Sequence, residues 1–91
     1  MKVKIKFFAY FRDLFQAKEK EILLRDEATV RDVLDLLCDT PQRTDEVFAK
    51  GELKPHLVVM KNGVHINSLD GLSTRVAAGD VIAVFPFIAG G

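Results

Sequence analysis

The clearest constraint on the fold is a single amphipathic helix in a chain whose other apolar segments have strand patterns. Apolar residues recur at the spacing of one helical face, at Val30, Val33, Leu34 and Leu37. Thr29 stands at the N-cap position, and Asp32 three residues later completes a capping box. Pro41 predicts that the helix ends at about Asp39 or Thr40. A helix with one apolar face is expected to pack across a sheet.

The first strand is predicted from strict alternation of side chains in residues 2–8. Val3, Ile5 and Phe7 share one face, while the lysines at positions 2, 4 and 6 share the other face with Phe8. Alternation of this kind is typical of a half-buried strand. Phe8 is therefore expected to point away from the core, among charged side chains.

Further strands are predicted at residues 21–24, 56–61, 64–66 and 81–85. Between the first two strands, the apolar residues from position 11 to position 15 have helical spacing, which predicts a short turn or helix. Asn62-Gly63 is typical of a two-residue type I′ hairpin turn. Residues 42–55 are interpreted as a polar connection with one helical turn at residues 45–48.

The order of these elements predicts an α+β fold, with a mixed sheet of four to five strands and one main helix packed on one face. The crossover after the first hairpin should be right-handed, and the first and last strands are expected to be parallel neighbours. This is the ubiquitin-like β-grasp arrangement, in a single domain of residues 1–91. Ile82 and Val84 would then face the helix, and Phe85 would emerge on the opposite face close to Phe8. These two phenylalanines would form a partner-binding patch, unless a loop covers them.

The sequence ends in Phe85-Pro86-Phe87-Ile88-Ala89-Gly90-Gly91. Proline cannot donate a hydrogen bond to a sheet, so the last strand is expected to end at Phe85 and residues 86–91 to project as a flexible tail. Glycine lacks a Cβ, so Gly90 and Gly91 could enter a channel too narrow for a side chain. The terminal carboxylate of Gly91 would then arrive at the bottom of that channel. The alternative interpretation is a frayed end without a role.

The balance of charge argues against several classes of partner. The chain has 13 basic and 13 acidic residues, which disfavours nucleic acid and anionic membranes as partners. No apolar segment reaches the length of a membrane span, and the N-terminus does not have the pattern of a signal peptide, so a cytoplasmic protein is expected. The lysines of the first strand are interpreted as a solvated face, with docking of an acidic partner as the alternative.

The side chains that most often carry chemistry stand alone in this sequence. Cys38 is the one cysteine, which excludes an internal disulfide and a cysteine-based zinc framework. It lies beside the helical stripe and is interpreted as small apolar filler, with a catalytic thiol as the alternative. His56 and His65 have no partner at metal-ligand or catalytic spacing, and a surface role is favoured for both. No bound metal or cofactor is expected.

Four segments carry a resemblance to a known family: KIKFFAYFRDL at the start, ATVRDVLDLL in the helix, KNG in the hairpin and AGDVIAVFPFIAGG at the end. They resemble the ubiquitin-like sulfur carriers of the MoaD/ThiS group, most closely the small subunit of molybdopterin synthase. The resemblance spans nearly the whole chain apart from residues 39–55. The tail of this group usually has the pattern Phe-Pro-Pro-x-x-Gly-Gly. Phe87 stands in place of the second proline, which makes the tail less stiff.

The resemblance implies that Gly91 is the carrier group. An E1-like adenylyltransferase would use ATP and magnesium to form an acyl-adenylate at Gly91, and a sulfur donor protein would allow its conversion to a thiocarboxylate. The tail would then insert into the large subunit of molybdopterin synthase and deliver sulfur to the pterin precursor. The acid–base residues would belong to that partner. Phe8 and Phe85 match hydrophobic interface positions of the group, and Arg12 matches a recurrent basic position.

Other functions are compatible with the same sequence. A ubiquitin-like protein modifier would use the same adenylate to form isopeptide bonds with lysines. A carrier for thiamine or cysteine synthesis would deliver its sulfur to another pathway, although thiamine-pathway carriers are usually shorter. A plain β-grasp interaction module would have no use for its terminal glycines.

Overall fold

The computed structural model describes residues 1–87, which form a mixed sheet with its main helix packed against it. Helices α1, α2 and α3 cover Phe11–Phe15, Val30–Leu37 and Pro41–Val47. Strands β1 to β7 cover Lys2–Phe7, Glu19–Leu23, Phe48–Ala49, Glu52–Leu53, Leu57–Lys61, Val64–His65 and Val81–Pro86. Two 3₁₀ turns, Ile66–Ser68 and Gly71–Ser73, lie between β6 and β7.

The main sheet has five strands in the order β2-β1-β7-β5-β6. β1 and β7 are parallel neighbours near its centre, with Ile5 opposite Ile82 and Phe7 opposite Val84. β2 is antiparallel to β1, and β5 is antiparallel to both β7 and β6. The α+β fold predicted from the order of elements is therefore confirmed, as is the parallel pairing of the first and last strands.

The core lies between the sheet and α2. The residues predicted to face inward from the two central strands are all buried, namely Val3, Ile5, Phe7, Ile82 and Val84. The apolar stripe of α2 belongs to the same buried cluster. Phe7 stacks on Phe15 with ring centroids 4.6 Å apart, so the short helix α1 also contributes to the core beyond the end of β1.

The predicted capping box is present at the start of α2. The backbone N–H of Asp32 donates to Oγ1 of Thr29 at 3.4 Å, and the N–H of Thr29 donates to the Asp32 carboxylate at 2.8 Å. The bond from the Thr29 N–H lowers the pKa of Asp32, and the nearby charge of Arg25 acts in the same direction. The start of α2 is thus fixed by its own sequence.

The connection predicted after α2 is correct only in its helical turn, which belongs to a seven-residue helix, and the prediction missed the hairpin that follows. α2 ends at Leu37, earlier than predicted, and Thr40 caps a further helix by accepting the N–H of Arg43 at 3.1 Å. Pro41 occupies the first turn of this helix, α3, where a missing N–H has no cost. The short β3–β4 hairpin follows. A proline interpreted as the end of one helix is therefore the beginning of the next.

Arg43 holds α3 against α1. Its guanidinium carbon lies 5.3 Å from the centroid of the Phe15 ring, and its Nε donates to the carbonyl of Leu14 at 3.1 Å. One terminal nitrogen donates to the Asp39 carboxylate at 2.7 Å. The planar guanidinium suits this position because it can stack and donate in several directions at once.

β2 begins at Glu19, earlier than the predicted start at residue 21. Glu19 lies opposite Lys6, and Glu21 lies opposite Lys4. Opposite charges across neighbouring strands each contribute roughly 0.2–1 kcal/mol to pairing. A stretch of alternating charges that looks like a loop in composition is therefore an edge strand, and the lysine face of β1 is partly neutralised by it.

The turn between β5 and β6 is the predicted type I′ turn. Asn62 and Gly63 have φ values of 50° and 82°, positive at both positions as this turn requires. The Asn62 side chain donates to the Asp80 carboxylate and accepts the N–H of Val81, both at 2.9 Å. The hairpin is thereby linked to the start of β7.

The prediction that the last strand ends at Phe85 is wrong, because β7 includes Pro86. Pro86 lies opposite Leu57, and the N–H of Phe87 donates to the carbonyl of His56 at 2.6 Å. Since N–H groups alternate in direction along a strand, the N–H missing at position 86 would point toward β1, which has already ended at Phe7. The proline therefore removes no hydrogen bond from the ladder.

Candidate functional site

An apolar patch formed by Phe8, Ala9, Phe85 and Pro86 lies where β1 and β7 end. These four residues line a hollow of about 410 Å³. The parallel register brings Phe8 and Phe85 together, with ring centroids 5.8 Å apart and ring planes at 83°. Phe8 keeps 37% of its surface exposed. The predicted proximity of the two phenylalanines is confirmed, and they line an open hollow instead of being buried.

Arg12 lies against the apolar patch. Its Nε donates to the carbonyl of Phe7 at 2.9 Å, and its guanidinium carbon is 5.5 Å from the centroid of the Phe8 ring. Arg12 is itself exposed, so this is a surface cation–π contact, which contributes about 0.5–1 kcal/mol. The family resemblance implied Arg12 as an interface residue, and the structure places it against Phe8.

Of the other two members of the apolar patch, Ala9 was not predicted from the sequence, and Pro86 was predicted as a residue of the tail. Ala9 has a φ of 55°, a left-handed conformation that lets the chain leave β1 and enter α1 directly. No periodic pattern marks such a position. Pro86 lines the hollow because β7 extends one residue further than predicted. Val58 lies opposite Phe85 on the antiparallel strand β5.

The root of the predicted tail is fixed to the sheet as far as Phe87. The hydrogen bond from the N–H of Phe87 to the carbonyl of His56 continues the ladder between β7 and β5. The Phe87 side chain is 62% exposed. The remaining predicted tail residues, Ile88, Ala89, Gly90 and Gly91, lie outside the described residues. The position that leads into the tail therefore has defined geometry.

Tyr10 and His56 meet beside this root. The Tyr10 hydroxyl lies 3.2 Å from Nε2 of His56, within hydrogen-bond distance. Partial burial, together with the carboxylate of Glu46, raises the pKa of Tyr10 above 10.0, so the hydroxyl keeps its proton at neutral pH. His65 lies elsewhere, where its Nδ1 accepts the N–H of Asn67 at 3.0 Å.

Cys38 has the surroundings of a packing residue. It is half-buried against the core cluster, and its Sγ lies 3.7 Å from the carbonyl of Arg43. Burial, and then the charges of Asp35 and Asp39, raise the pKa of the thiol to about 11. The thiolate form, which is the nucleophile, is therefore scarce at neutral pH. These facts favour the filler interpretation over a catalytic thiol.

Within residues 1–87, no three side chains of His, Cys, Asp or Glu are grouped as ligands for a metal ion. Within the same residues, no helix is both long and apolar enough to cross a membrane.

Comparison with known proteins places this geometry in context. The sequence profile of the ThiS family matches residues 5–91. Small archaeal modifier protein 3 of Haloferax volcanii is 39% identical over 92 aligned residues, which cover 100% of both chains. A putative sulfur carrier protein of Archaeoglobus fulgidus is 32% identical, with 72% of this chain and 77% of that protein covered. The solved structure of a putative molybdopterin converting factor, subunit 1, from Pyrococcus furiosus has a TM-score of 0.78 and 32% identity, covering 97% of this chain and 99% of the other.

Proposed function

Since the chain belongs to the ThiS family of ubiquitin-like sulfur carriers and modifiers, we propose that it is a sulfur carrier loaded at Gly91 as a thiocarboxylate. Its recipient is the pterin precursor of molybdopterin, with this chain as the small subunit of the synthase. The observation that carries the proposal is the apolar patch at the root of the tail, combined with a family match that extends to residue 91. The pathway is supported by the likeness to the converting factor subunit of Pyrococcus furiosus.

Loading has to begin with activation, because a carboxylate is a poor electrophile. The Gly91 carboxylate attacks the α-phosphate of ATP and releases pyrophosphate, which leaves an acyl-adenylate. A persulfide sulfur on the donor protein then attacks the acyl carbon and displaces AMP. A thiol next cleaves the sulfur–sulfur bond, and the thiocarboxylate remains on Gly91 while the two thiol sulfurs form a disulfide. The E1-like partner supplies the ATP and magnesium sites for the first step.

The apolar patch supplies the recognition that this chemistry needs. Partners that act on the tail have to grip the folded domain close to the point where the tail leaves it. Exposed aromatic side chains in a hollow are typical anchors of protein interfaces. Phe8 is such a side chain, the half-buried Phe85 packs edge-to-face against it, and Arg12 lies over the Phe8 ring. We expect the E1-like enzyme and the large subunit to use this same surface in turn.

A second function is favoured by the relatives themselves. The relative that matches over the full length of both chains is named a small archaeal modifier protein. Conjugation would use the same acyl-adenylate, with a lysine amine of a target protein as the final nucleophile in place of sulfur. The two functions therefore share the activation step and differ in what attacks the activated Gly91.

Intact-mass measurement after co-expression with the E1-like enzyme tests the proposal. A carrier gains the mass that corresponds to exchange of one oxygen for one sulfur, and the gain disappears when Gly91 is deleted or an alanine is added after it. Absence of this species, with an active E1-like enzyme and sulfur donor present, contradicts the proposal. A ladder of higher-mass conjugates that is lost on the same deletion supports the modifier function.

The pathway is tested by reconstitution with the large subunit. Loaded carrier, large subunit and pterin precursor should yield the dithiolene product, and unloaded carrier should yield none. Failure of the loaded carrier in this assay, combined with a normal mass shift, removes the molybdopterin assignment and leaves the sulfur-carrier function intact.

A further inference from the structure

The contact between Tyr10 and His56 crosses the end of β7. Tyr10 follows β1 in the chain, and His56 immediately precedes β5. β7 lies between these two strands in the sheet. Because β1 is parallel and β5 antiparallel to β7, the last residues of β1 and β7 and the first residue of β5 lie at the same end of the sheet. A side-chain contact from the β1 side to the β5 side has to bridge the end of β7, where Pro86 lies.

His56 is connected to this end in a second way. Its carbonyl accepts the N–H of Phe87 at 2.6 Å, and this bond attaches the root of the tail to β5. The side chain of His56 therefore reaches Tyr10 while its backbone holds Phe87. On the β1 side of β7, the edge-to-face contact of Phe8 with Phe85 holds the strand one residue before Pro86.

We propose that Tyr10 and His56 are positioning residues that form a clasp across β7 and fix the point at which the tail leaves the domain. The inference rests on the proposed function in one respect, namely that the tail is what partners act on. Neither residue has a role in the activation chemistry. They act through Phe87, whose backbone His56 holds.

The clasp reduces the number of residues that a partner has to order. Each backbone residue that is fixed on binding costs conformational entropy. With Phe87 already bonded to the sheet, the partner does not have to fix this residue. Without the clasp, the end of β7 can separate from β5, and that cost is added to every encounter with a partner.

Either tautomer of the His56 imidazole can keep this contact. An Nε2 without hydrogen accepts the proton of the Tyr10 hydroxyl, and an Nε2 that carries hydrogen donates to its oxygen.

Amide hydrogen exchange of Phe87, followed by NMR, tests the clasp without reference to any partner. Tyr10→Phe removes only the hydroxyl, and His56→Ala removes only the imidazole. Each should speed exchange of the Phe87 amide about 2- to 10-fold, the factor expected for the loss of one exposed hydrogen bond. The double variant should be no faster than the faster single variant, because both changes break the same contact. The amide of Val33 in α2 provides the internal reference.

Matched variants separate the contact from a general effect of substitution. His65→Ala removes the other histidine of the chain and should leave exchange at Phe87 unchanged. His56→Gln offers an amide at nearly the position of Nε2 and should restore much of the protection. Unchanged exchange in both Tyr10→Phe and His56→Ala overturns the clasp, as does an additive effect in the double variant.

Kinetics with the E1-like enzyme test the consequence for function. Tyr10→Phe and His56→Ala should raise KM for adenylation several-fold and leave kcat nearly unchanged, because the clasp acts before the chemical step. Equal KM values for wild type and both variants overturn the positioning role. A wild-type chain that is never adenylated contradicts the proposed function instead, and the exchange measurement still decides whether the clasp exists.

Discussion

Phe7 and Phe8 are adjacent in sequence and identical in chemistry, yet replacement by alanine should affect mainly stability at Phe7 and mainly partner binding at Phe8. Phe7 is fully buried and stacks on Phe15 at 4.6 Å. Phe8 is 37% exposed and touches Phe85 and Arg12 at the surface. Phe7→Ala should destabilise the fold, and Phe8→Ala should mainly weaken partner binding.

The magnitudes follow from these contacts. Removal of a buried phenylalanine leaves a cavity and costs about 3–5 kcal/mol. Phe8→Ala loses an edge-to-face aromatic pair, at about 0.5–1.5 kcal/mol, and a surface cation–π contact, at about 0.5–1 kcal/mol. The free energy of unfolding should thus fall by about 1–2.5 kcal/mol for Phe8→Ala. Domains of this size have a total stability of about 5–15 kcal/mol, so Phe7→Ala removes a large part of it.

Urea unfolding followed by circular dichroism measures these differences, and it suits a chain without tryptophan. Titration of each folded variant with the E1-like enzyme gives the free energy of binding. Phe8→Ala and Phe85→Ala should each weaken binding by more than about 1 kcal/mol. Leu23→Ala is the matched control, because Leu23 is a large apolar residue with 70% exposure on the edge strand β2. Equal destabilisation by Phe7→Ala and Phe8→Ala would refute the assignment of the two faces, and unchanged affinity in Phe8→Ala and Phe85→Ala would refute the apolar patch.

Three further predictions concern the scaffold. Thr29→Ala should lower the free energy of unfolding by about 1 kcal/mol through loss of the cap, whereas an unchanged urea midpoint would show that the capping box is dispensable. The pKa of Asp32 is lower in the folded protein than its unfolded value of 3.8, so its contribution to stability is present above pH 3.8 and is lost as pH falls through the folded pKa. Asp32→Asn should therefore flatten the decline of stability below about pH 5. An equally steep decline in this variant would exclude Asp32 as its cause. The pKa of Cys38, raised to about 11, predicts alkylation by iodoacetamide at pH 8 much more slowly than for a free thiol, and rapid labelling of the folded protein would argue for an active thiol after all.

The fold followed from local patterns because its main elements obey them. The alternation in β1 and the stripe of α2 each fix which side chains are buried, and the two faces can pack together in few ways. The parallel pairing of β1 with β7, together with strand parity, then predicts that Phe8 lies near Phe85. This part of the site could be predicted because it depends only on strand parity and topology.

The remainder depends on features without a local pattern. β2 begins in a run of charges whose strand character comes from the lysines opposite, which lie elsewhere in the sequence. Pro41 is compatible with both the end of one helix and the start of another, and only the Thr40 cap distinguishes the two. The contact of Tyr10 with His56 joins residues 46 positions apart, and no spacing rule could have found it.

The central position of β7 has a consequence for folding. β7 lies between β1 and β5 and pairs with both, so the main sheet cannot reach its order until this strand has joined it. The pairing of β7 with β1 joins segments far apart in sequence, and such contacts are slow to form because a long loop has to close first. Phe8 follows β1 and Phe85 belongs to β7, so a copy in which β7 has not paired lacks the apolar patch that we propose for partner binding.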